Sequence, residues 1–452
     1  MTQDEALNIL KTGANVFLTG EPGSGKTHTV NAYVRYLESS GIEHAITAST
    51  GIAATHVGGM TIHSWSGIGV KSVITEYDLD AIAQKEKVVR RVTRARVLII
   101  DEISMLSGDT LASVDAVCRA LRHSTRAFGG LQVVFVGDFF QLPPIVRQGE
   151  QQQPTADEIE YDKPASPFAF HSRAWKAANP LICYLSEQHR QEDPVFLGLL
   201  SGIRRGKITD TLRGHLTKRA VTPPAQGVYT KLFPHNANVD RLNDQELGTL
   251  PSLLRIFQMQ SRGAPALIEG LKRSCLSPES LSLKVGAKVM FTKNDIEGEY
   301  VNGTLGEVIE FSKMSSYPVV RTLSGKIIEA SPEEWKVQDN NKVLATIEQV
   351  PLRLAWAITV HKSQGMSLDA AIIDLSNAFE YGQGYVALSR LRTLSGLYLI
   401  GFNERALEVH PDVAAQDEVF REQSFGAQDT FGQMPRNELE ELHTNFAKAA
   451  QF

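Results

Sequence analysis

"LTGEPGSGKT", residues 18–27, decides the fold class of this chain, because it follows an apolar run and precedes a helical pattern. From Gly20 to Thr27 the stretch fits G-x-x-x-x-G-K-[ST], a turn whose glycines let consecutive backbone N–H groups point at phosphate oxygens. The positive end of the following helix adds to this anion site. Lys26 would reach the β- and γ-phosphates, and the Thr27 hydroxyl would bind Mg²⁺. The predicted nucleotide-binding residues of the turn are Gly20, Glu21, Pro22, Gly23, Ser24, Gly25, Lys26, Thr27 and His28.

Two acidic residues follow an apolar run at residues 96–106, RVLIIDEISML. The run is typical of a buried parallel strand, and ligands of open α/β sheets lie at the carboxyl ends of the strands. We expect Asp101 to bind Mg²⁺ and Glu102 to act as the general base that polarises the attacking water.

A third apolar run, LQVVFVGDFFQLPPI at residues 131–145, ends in the same kind of loop. Its amide, Gln141, carries no charge, but it can donate a hydrogen bond to the γ-phosphate or to the attacking water. Three such strand ends in one phosphate-binding fold predict a RecA-like ATPase core.

The composition is that of a globular protein with more than one domain. The chain has 452 residues, 42% of them apolar, and a net charge of −5, so two or three domains are expected. The three scattered cysteines argue against a disulfide framework or a zinc site and fit a reducing cytosol. The N-terminus lacks the features of a secretory signal, and we expect no membrane-spanning helix. Residues 84–97 carry six basic side chains against one acid, which fits either a solvated helix face or a nucleic-acid contact.

A second alternation of strands and helices begins near residue 182, at ICYLSEQHR, and has no phosphate turn of its own. The simplest interpretation is a second RecA-like lobe that closes over nucleotide held by the first. Such closure needs a cation that senses the γ-phosphate, and arginine suits this task because it stays charged and binds two oxygens at once. Short strands with Asn-Gly and Ser-Gly turns interrupt this second pattern at residues 255–350.

Several motifs occur in an order that resembles the petite-integration-frequency (PIF) DNA helicases, the 5′-to-3′ branch of helicase superfamily one. These motifs are GEPGSGKT, ASTGIAATHVGGMTIHSWSGIG, LIIDEISML, FGGLQVVFVGDFFQLPPI, LSEQHRQED, AWAITVHKSQGMSLD and GYVALSRLRTLSGLYL. The resemblance covers roughly residues 3–402, and the run from FGG into GDFFQLPP distinguishes PIF-type from RecD-type enzymes. The phosphate turn departs from the family, which more often has Ala-Gly-Thr where this chain has EPGS. The chain starts almost at the first motif, so we expect a compact bacterial or phage version.

The resemblance implies roles for further residues. Arg190 resembles the motif-four arginine of the family and Arg390 its motif-six finger, with Arg392 as a competitor; a surface salt bridge is the alternative for each. Gln3 resembles the adenine-reading glutamine, although it lies close enough to the terminus to fray. Gly365 would lie at the nucleotide side of its loop.

DNA contacts are implied for two stretches that would line the path of a single strand, with two further candidates in PHNANVDRLN. The implied DNA-binding residues are Thr50, Gly51, His63, His235, Asn236, Thr359, His361 and Lys362. Trp65 fits either base stacking or core packing.

The sequence therefore predicts an α/β protein with two RecA-like parallel-sheet lobes. We expect lobe one at 1–185, and the resemblance implies a small wedge insertion at 66–92, beside which the basic run would contact DNA. Lobe two is expected at 186–254 and 351–410, and the resemblance implies a small β-barrel in the insertion at 255–350. A polar tail follows at 411–452, with a helical stretch at RNELEELHTNFAKAA.

The predicted activity is ATP- and Mg²⁺-dependent unwinding of DNA; the 5′-to-3′ direction on single strands and the preference for DNA are implied by the resemblance alone. The resemblance also implies action on forked DNA, G-quadruplexes or DNA–RNA hybrids, roles in DNA replication, repair, recombination and telomere maintenance, and a cytoplasmic, nucleoid-associated location. We expect no membrane partner and a monomer in solution; dimerisation on DNA is left open. Two alternatives remain, namely a RecD-like subunit of a recombination complex and a non-motor P-loop ATPase that binds a protein partner.

Overall fold

The computed structural model describes residues 1–50, 53–54, 58–69, 71–144, 167–187, 193–224, 229–234, 239–293, 295, 299–339, 342–360, 363 and 366–451. The chain divides into two compact units. Unit one comprises Met1–His189 and Pro411–Phe452, and unit two comprises Arg190–His410. No helix in these described ranges combines the length and the apolar character needed to cross a membrane.

A parallel six-stranded sheet forms the centre of unit one. Its strands are β1 (Val16–Gly20), β2 (His44–Ala48), β3 (Met60–Thr61), β4 (Val97–Asp101), β5 (Gln132–Val136) and β6 (Leu181–Leu185). They lie in the order β3-β2-β4-β5-β1-β6. Every residue of β1 and of β5 is buried, as expected of strands covered by helices on both faces. This order places the ends of β4, β5 and β1 side by side.

Helices cover this sheet, and most begin at a side chain that caps free backbone N–H groups. The helices are α1 (Gln3–Leu10), α2 (Lys26–Ser39), α3 (Ile62–Ser66), α4 (Glu76–Ala83), α5 (Glu86–Arg94), α6 (Gly108–Leu121) and α7 (Arg173–Ala178). Thr2, Thr61, Thr75 and Ser107 accept from the first turns of α1, α3, α4 and α6, which offsets the missing helical acceptors.

The FGG turn joins the end of α6 to β5 through three consecutive residues with positive φ, Phe128 (49°), Gly129 (62°) and Gly130 (81°). Asp115 Oδ1 accepts a hydrogen bond from Phe128 N. A Cβ at Gly129 would lie 2.5 Å from the Cys118 carbonyl oxygen. The turn therefore requires glycine for both its backbone conformation and its close approach to α6.

Unit two contains a parallel sheet of four strands, β7 (Thr230–Phe233), β18 (Ala357–Thr359), β19 (Ala371–Leu375) and β20 (Leu397–Phe402). Their order is β18-β7-β19-β20. The helices of this unit are α8 (Pro194–Arg204), α9 (Asp210–Thr217), α10 (Val239–Thr249), α11 (Pro265–Ser274) and α12 (Gln383–Ser389). Two RecA-like parallel sheets are thus present, as the sequence predicts.

Antiparallel sheets occupy the interval between β7 and β18. The strands are β8 (Arg255–Gln258), β9 (Gln260–Gly263), β10 (Ser280–Leu283), β11 (Lys288–Phe291), β12 (Leu305–Phe311), β13 (Pro318–Thr322), β14 (Ile327–Glu329), β15 (Glu333–Asp339), β16 (Lys342–Gln349) and β17 (Leu352–Leu354). A five-stranded sheet, β14-β13-β12-β11-β17, encloses its own apolar core. Gly325, with φ +84°, closes the β13–β14 hairpin at the predicted Ser-Gly turn.

The last two helices, α13 (Pro411–Gly432) and α14 (Arg436–Gln451), pack on unit one. Phe420 of α13 is only 4% exposed. Its ring lies 5.1 Å from that of Phe17 in β1 and 6.2 Å from those of Phe139 and Trp175. The C-terminal segment therefore completes the aromatic core beside the central sheet.

Two expectations from the sequence differ in part from this arrangement. The run ICYLSEQHR marks the start of the second α/β pattern in the sequence, although its first four residues lie within the bounds expected for lobe one; they supply β6, and β6 pairs with β1 in the first sheet. In the polar segment 411–452, the helix predicted at RNELEELHTNFAKAA is present as α14, whereas helix α13 is not predicted. For ICYL, a hydrophobic run indicates that a segment is buried but does not indicate which strand it pairs with. For α13, few apolar residues lie along a polar helix, so the periodic signal of a buried face is weak.

We expect Phe420→Ala to destabilise unit one by about 3–5 kcal/mol, because a large cavity would open in the aromatic core. Phe425→Ala is the matched control, since Phe425 lies on the same helix but is 74% exposed, and it should change stability by about 0.5 kcal/mol or less. Denaturant unfolding followed by circular dichroism compares the two variants. Equal effects would show that α13 does not anchor the core through Phe420.

Candidate nucleotide and nucleic-acid site

The phosphate turn lies between β1 and α2, as the sequence predicts. Gly23 and Gly25 have φ values of +88° and +90°, which other residues rarely adopt. A Cβ at Gly20 would lie 2.6 Å from Ser24 Oγ. Lys26 Nζ donates to the carbonyl oxygens of Gly20 at 2.8 Å and Glu21 at 3.1 Å, so the ammonium lies across the mouth of the turn.

Gln3 packs directly on this turn. Its Nε2 donates to the Ser24 carbonyl oxygen at 3.4 Å, and its Oε1 lies 2.8 Å from His28 Nδ1. A Cβ at Gly25 would clash with the Gln3 amide. The side chain that the resemblance assigns to adenine reading is therefore beside the predicted nucleotide site.

The N-terminus that carries Gln3 is bonded to the rest of unit one. The Met1 ammonium donates to the Tyr184 carbonyl oxygen at 2.8 Å. Thr2 and Glu5 form a capping box on α1, and Gln428 Nε2 of α13 donates to the Glu5 carboxylate at 3.0 Å. The bond from Thr2 N, opposed by desolvation, holds the pKa of Glu5 below its ordinary value. The T-x-x-E pattern at residues 2–5 is the sequence signal of this cap, which our sequence analysis missed.

The two acidic residues lie at the carboxyl end of β4. Asp101 Oδ1 accepts from Glu102 N at 2.9 Å, and Glu102 adopts φ +51° and ψ +46° at the turn into a short 3₁₀ helix. Desolvation, and then the adjacent Glu102 carboxylate, raise the pKa of Asp101, while Lys26 lowers it. Because the charge of Lys26 lowers the pKa of Asp101, the residue predicted to bind phosphate and the residue predicted to bind Mg²⁺ lie in one electrostatic site.

The end of β5 adjoins the same site. Asp138 is fully buried, and its carboxylate accepts from Phe140 N at 3.2 Å. Gln141 is 7% exposed, and its backbone N–H donates to the Asp138 carbonyl oxygen at 3.0 Å. A Cβ at Gly137 would lie 3.1 Å from Ile103 N. The Gln141 loop and the Glu102 turn therefore pack against each other.

The first predicted DNA-contacting stretch begins at the neighbouring strand end. Ser49 N, after β2, donates to the Asp101 carbonyl oxygen at 3.1 Å, so Thr50 lies one residue from a direct link to the acidic turn. His63 lies on α3 and is partly buried, and this burial lowers its pKa. Trp65 of the same helix is only 3% exposed, which favours core packing over base stacking.

The basic run forms helix α5, and its arginines differ in exposure and in contacts. Arg91 Nε donates to the Trp65 carbonyl oxygen at 2.6 Å, and its Nη2 also bonds the Ser64 carbonyl oxygen. Arg91 thus holds α5 against α3. The basic side chains of the run that are exposed are Lys85, Lys87, Arg90 and Arg94.

In unit two, Arg390 lies at the end of α12 and is 2% exposed. Its Nε donates to the Val386 carbonyl oxygen at 3.0 Å, and its Nη2 donates to Ser389 Oγ at 2.9 Å. The competing Arg392 is more exposed and lies 3.3 Å from the Asp369 carboxylate. Thr359, at the end of β18, is 1% exposed.

Several predicted site residues lie outside the described residues. They are Gly51, Arg190, His235, Asn236, His361, Lys362 and Gly365.

Comparison with known proteins identifies the family. A family model described as PIF1-like helicase matches residues 3–213, and one described as the 2B domain of DNA helicase Pif1 matches residues 266–311. The ATP-dependent DNA helicase Pif1 of Psychrobacter sp. is 42% identical, over 100% of this chain and 75% of that protein. The protein of the same name from Bdellovibrio bacteriovorus is 36% identical, over 91% of this chain and 90% of that protein.

The chain belongs to the PIF1-like helicase family.

A solved structure agrees with this assignment. Bacteroides Pif1 in complex with ADP-AlF4 superposes with a TM-score of 0.80 at 33% identity, covering 93% of this chain and 96% of that chain. The human relative, ATP-dependent DNA helicase PIF1, is 35% identical, and the match spans 62% of its length. The PIF1-like family predicted from the sequence is therefore confirmed, together with its α/β fold.

We expect Gly25→Ala to weaken ATP binding by about tenfold or more, because the new Cβ would displace Gln3 and strain the phosphate turn. Gly41→Ala is the matched control in this PIF1-like chain. Gly41 also has a positive φ, of +68°, but a Cβ there would meet no atom within 4 Å. Titration with a fluorescent ATP analogue measures both affinities. Near-normal affinity of Gly25→Ala would contradict the predicted contact between Gln3 and the phosphate turn.

Proposed function

We propose that this chain is an ATP-dependent DNA helicase that moves 5′ to 3′ on single strands and unwinds duplex and forked DNA. The observation that carries the proposal is the convergence of Lys26, after β1, with Asp101 and Glu102, at the end of β4, on either side of β5 at one edge of the sheet of a PIF1-like chain. Relatives named ATP-dependent DNA helicase support the activity, and membership of the 5′-to-3′ branch supports the direction. Bacteroides Pif1 has been solved with ADP-AlF3 and single-stranded DNA.

The nucleotide site assigns one task to each residue. The backbone of the turn from Gly20 to Thr27 would bind the phosphates, and Lys26 would neutralise the β- and γ-phosphates. Gln3 would bond the adenine edge, with His28 holding its amide oriented. Glu102 would accept the proton of the attacking water, and Gln141 would orient that water or the γ-phosphate.

The donor set at this site fits Mg²⁺. Thr27 and Asp101 offer the hard oxygen ligands that Mg²⁺ prefers, and they lie near the carboxyl ends of β1 and β4 in one parallel sheet. Mg²⁺ would supply charge neutralisation of the phosphates. Its presence would also favour the ionised form of Asp101.

Arginines of unit two would add the charge that stabilises the transferred phosphoryl group. We assign this role to Arg190 and Arg390, since an arginine finger is worth about 10³–10⁵ in rate. The present bonds of Arg390 to its own helix would exchange for phosphate oxygens when ATP is bound.

Single-stranded DNA would be held by backbone contacts at the ends of β2 and β18. Thr50 and His63 on one side, and Thr359, His361 and Lys362 on the other, are the proposed phosphate contacts, with Gly51, His235 and Asn236 as further candidates. The hydrogen bond from Ser49 N to the Asp101 carbonyl oxygen supports coupling between the proposed DNA contacts at the end of β2 and the acidic turn at the end of β4. We also propose that Gly365 lies at the nucleotide side of its loop, and that the exposed cations of α5 contact DNA.

Glu102→Gln should bind ATP with an affinity within about threefold of wild type while turnover falls by about 10²–10⁴, because the amide cannot accept the proton. Phosphate release with saturating oligonucleotide and equilibrium nucleotide binding measure the two effects. Glu38→Gln, at an exposed acid near the far end of α2, is the control and should keep full turnover. Near wild-type turnover of Glu102→Gln would reject the base assignment.

A duplex with a 5′ single-stranded tail should be unwound, whereas the same duplex with a 3′ tail should not. A fluorescence unwinding assay with both substrates measures activity and direction together. Preference for the 3′ tail would overturn the proposed direction. A lack of unwinding on both, with phosphate release unaffected by oligonucleotide, would favour a non-motor ATPase instead.

A further inference from the structure

Arg390 is held in place by a short helix that needs support from its surroundings. Helix α12 has seven residues, all of them buried, and a helix of two turns has little stability of its own. Since Arg390 sits at its end, any rotation of α12 would move the guanidinium. Residues at the two ends of helix α8 contact the chain before and after Arg390.

Asp193 supplies the first contact. It caps α8, where its Oδ1 accepts from Val195 N at 3.0 Å and Phe196 N at 3.1 Å. Its second oxygen, Oδ2, accepts from Leu394 N at 3.1 Å, four residues after Arg390. Asparagine or serine would serve about equally well as the cap, but only a carboxylate has a second acceptor oxygen for Leu394.

Arg204 supplies the second contact, from the other end of α8. Its guanidinium is 2% exposed, and its Nη1 donates to Tyr385 Oη at 3.0 Å. Tyr385 lies on α12, five residues before Arg390. The two ends of α8 therefore hold Tyr385 and Leu394, and Arg390 lies between these two points.

We infer that Asp193 and Tyr385 are positioning residues for Arg390. Through them, α8 holds α12 and the turn after it in the orientation that presents the guanidinium to the γ-phosphate. This inference deepens the proposed function and rests on the finger role of Arg390. A misplacement of about 1 Å in a group that must meet a reacting phosphate can cost about a hundredfold in rate.

Two conservative substitutions remove these bonds while sparing neighbouring structure. Asp193→Asn keeps an oxygen for the α8 cap but turns an amide donor toward Leu394 N. Tyr385→Phe keeps the buried ring and removes only the hydroxyl that accepts from Arg204. Asp210→Asn, at an exposed acid in the first turn of α9, is the control for the change of charge.

The test measures oligonucleotide-stimulated kcat, KM for ATP and affinity for ADP–aluminium fluoride in the full chain. We expect Asp193→Asn and Tyr385→Phe each to lower kcat and the affinity for the fluoride complex by about tenfold to a hundredfold. KM for ATP should stay within about threefold, because ground-state binding depends on unit one. Asp210→Asn should match wild type in activity. Tyr385→Phe removes one acceptor of the buried Arg204, so its melting temperature should fall modestly; thermal unfolding of each variant checks that it is folded at the assay temperature.

A double-mutant cycle separates positioning of Arg390 from general support. In an Arg390→Lys background, which keeps a positive charge at this position, Asp193→Asn should lower the remaining kcat by less than about twofold. A full additional loss there, or normal kcat in the single variants, would overturn the inference. If Arg390→Lys and Arg390→Ala both turn over normally, the finger role in the proposed function fails instead.

Discussion

The pairing of β4, β5 and β1 as neighbours in one parallel sheet is the constraint on which the rest of this structure depends. Parallel strands deliver their carboxyl ends to the same edge, so the phosphate turn, the acidic turn and the Gln141 loop meet there without further design. The influence of Lys26 on the pKa of Asp101 follows from this adjacency. The link from Ser49 N to the Asp101 carbonyl oxygen extends the edge by one more strand toward the stretch proposed to bind DNA.

Segments distant in sequence hold Gln3 and the phosphate turn in place. Gln3 would lie on a mobile terminus if the Met1 ammonium and the Glu5 carboxylate were not bonded to β6 and to α13. Phe420 in turn inserts between the aromatic rings beside β1. Because α13 contacts both the first helix and the core under the phosphate turn, the C-terminal segment belongs to the nucleotide-binding unit.

The described arginines serve different physical purposes. Arg91 and Arg122 bind carbonyl oxygens at helix ends, as the bonds of Arg122 to Ala95 and Gly129 illustrate. Arg204 is buried against a tyrosine, and Arg390 is bonded to its own helix. Of these four arginines, Arg390 is the one proposed to contact nucleotide. A fixed planar guanidinium suits all of these tasks, so residue type alone does not separate structural arginines from functional ones.

The sequence by itself determined the parallel α/β class, the phosphate turn, the acidic strand end and the family, because each is written in a contiguous stretch whose chemistry is local. Glycines with positive φ, apolar runs that end in carboxylates and an ordered set of motifs need no knowledge of distant contacts. Only the tertiary structure decided that ICYL forms the strand next to β1, that residues 411–451 complete the first unit, and that Trp65 and Arg91 contact neighbouring helices. A sequence shows which segments are apolar enough to be buried. It does not show which segment each one packs against, because that partner can lie hundreds of residues away and is determined by packing.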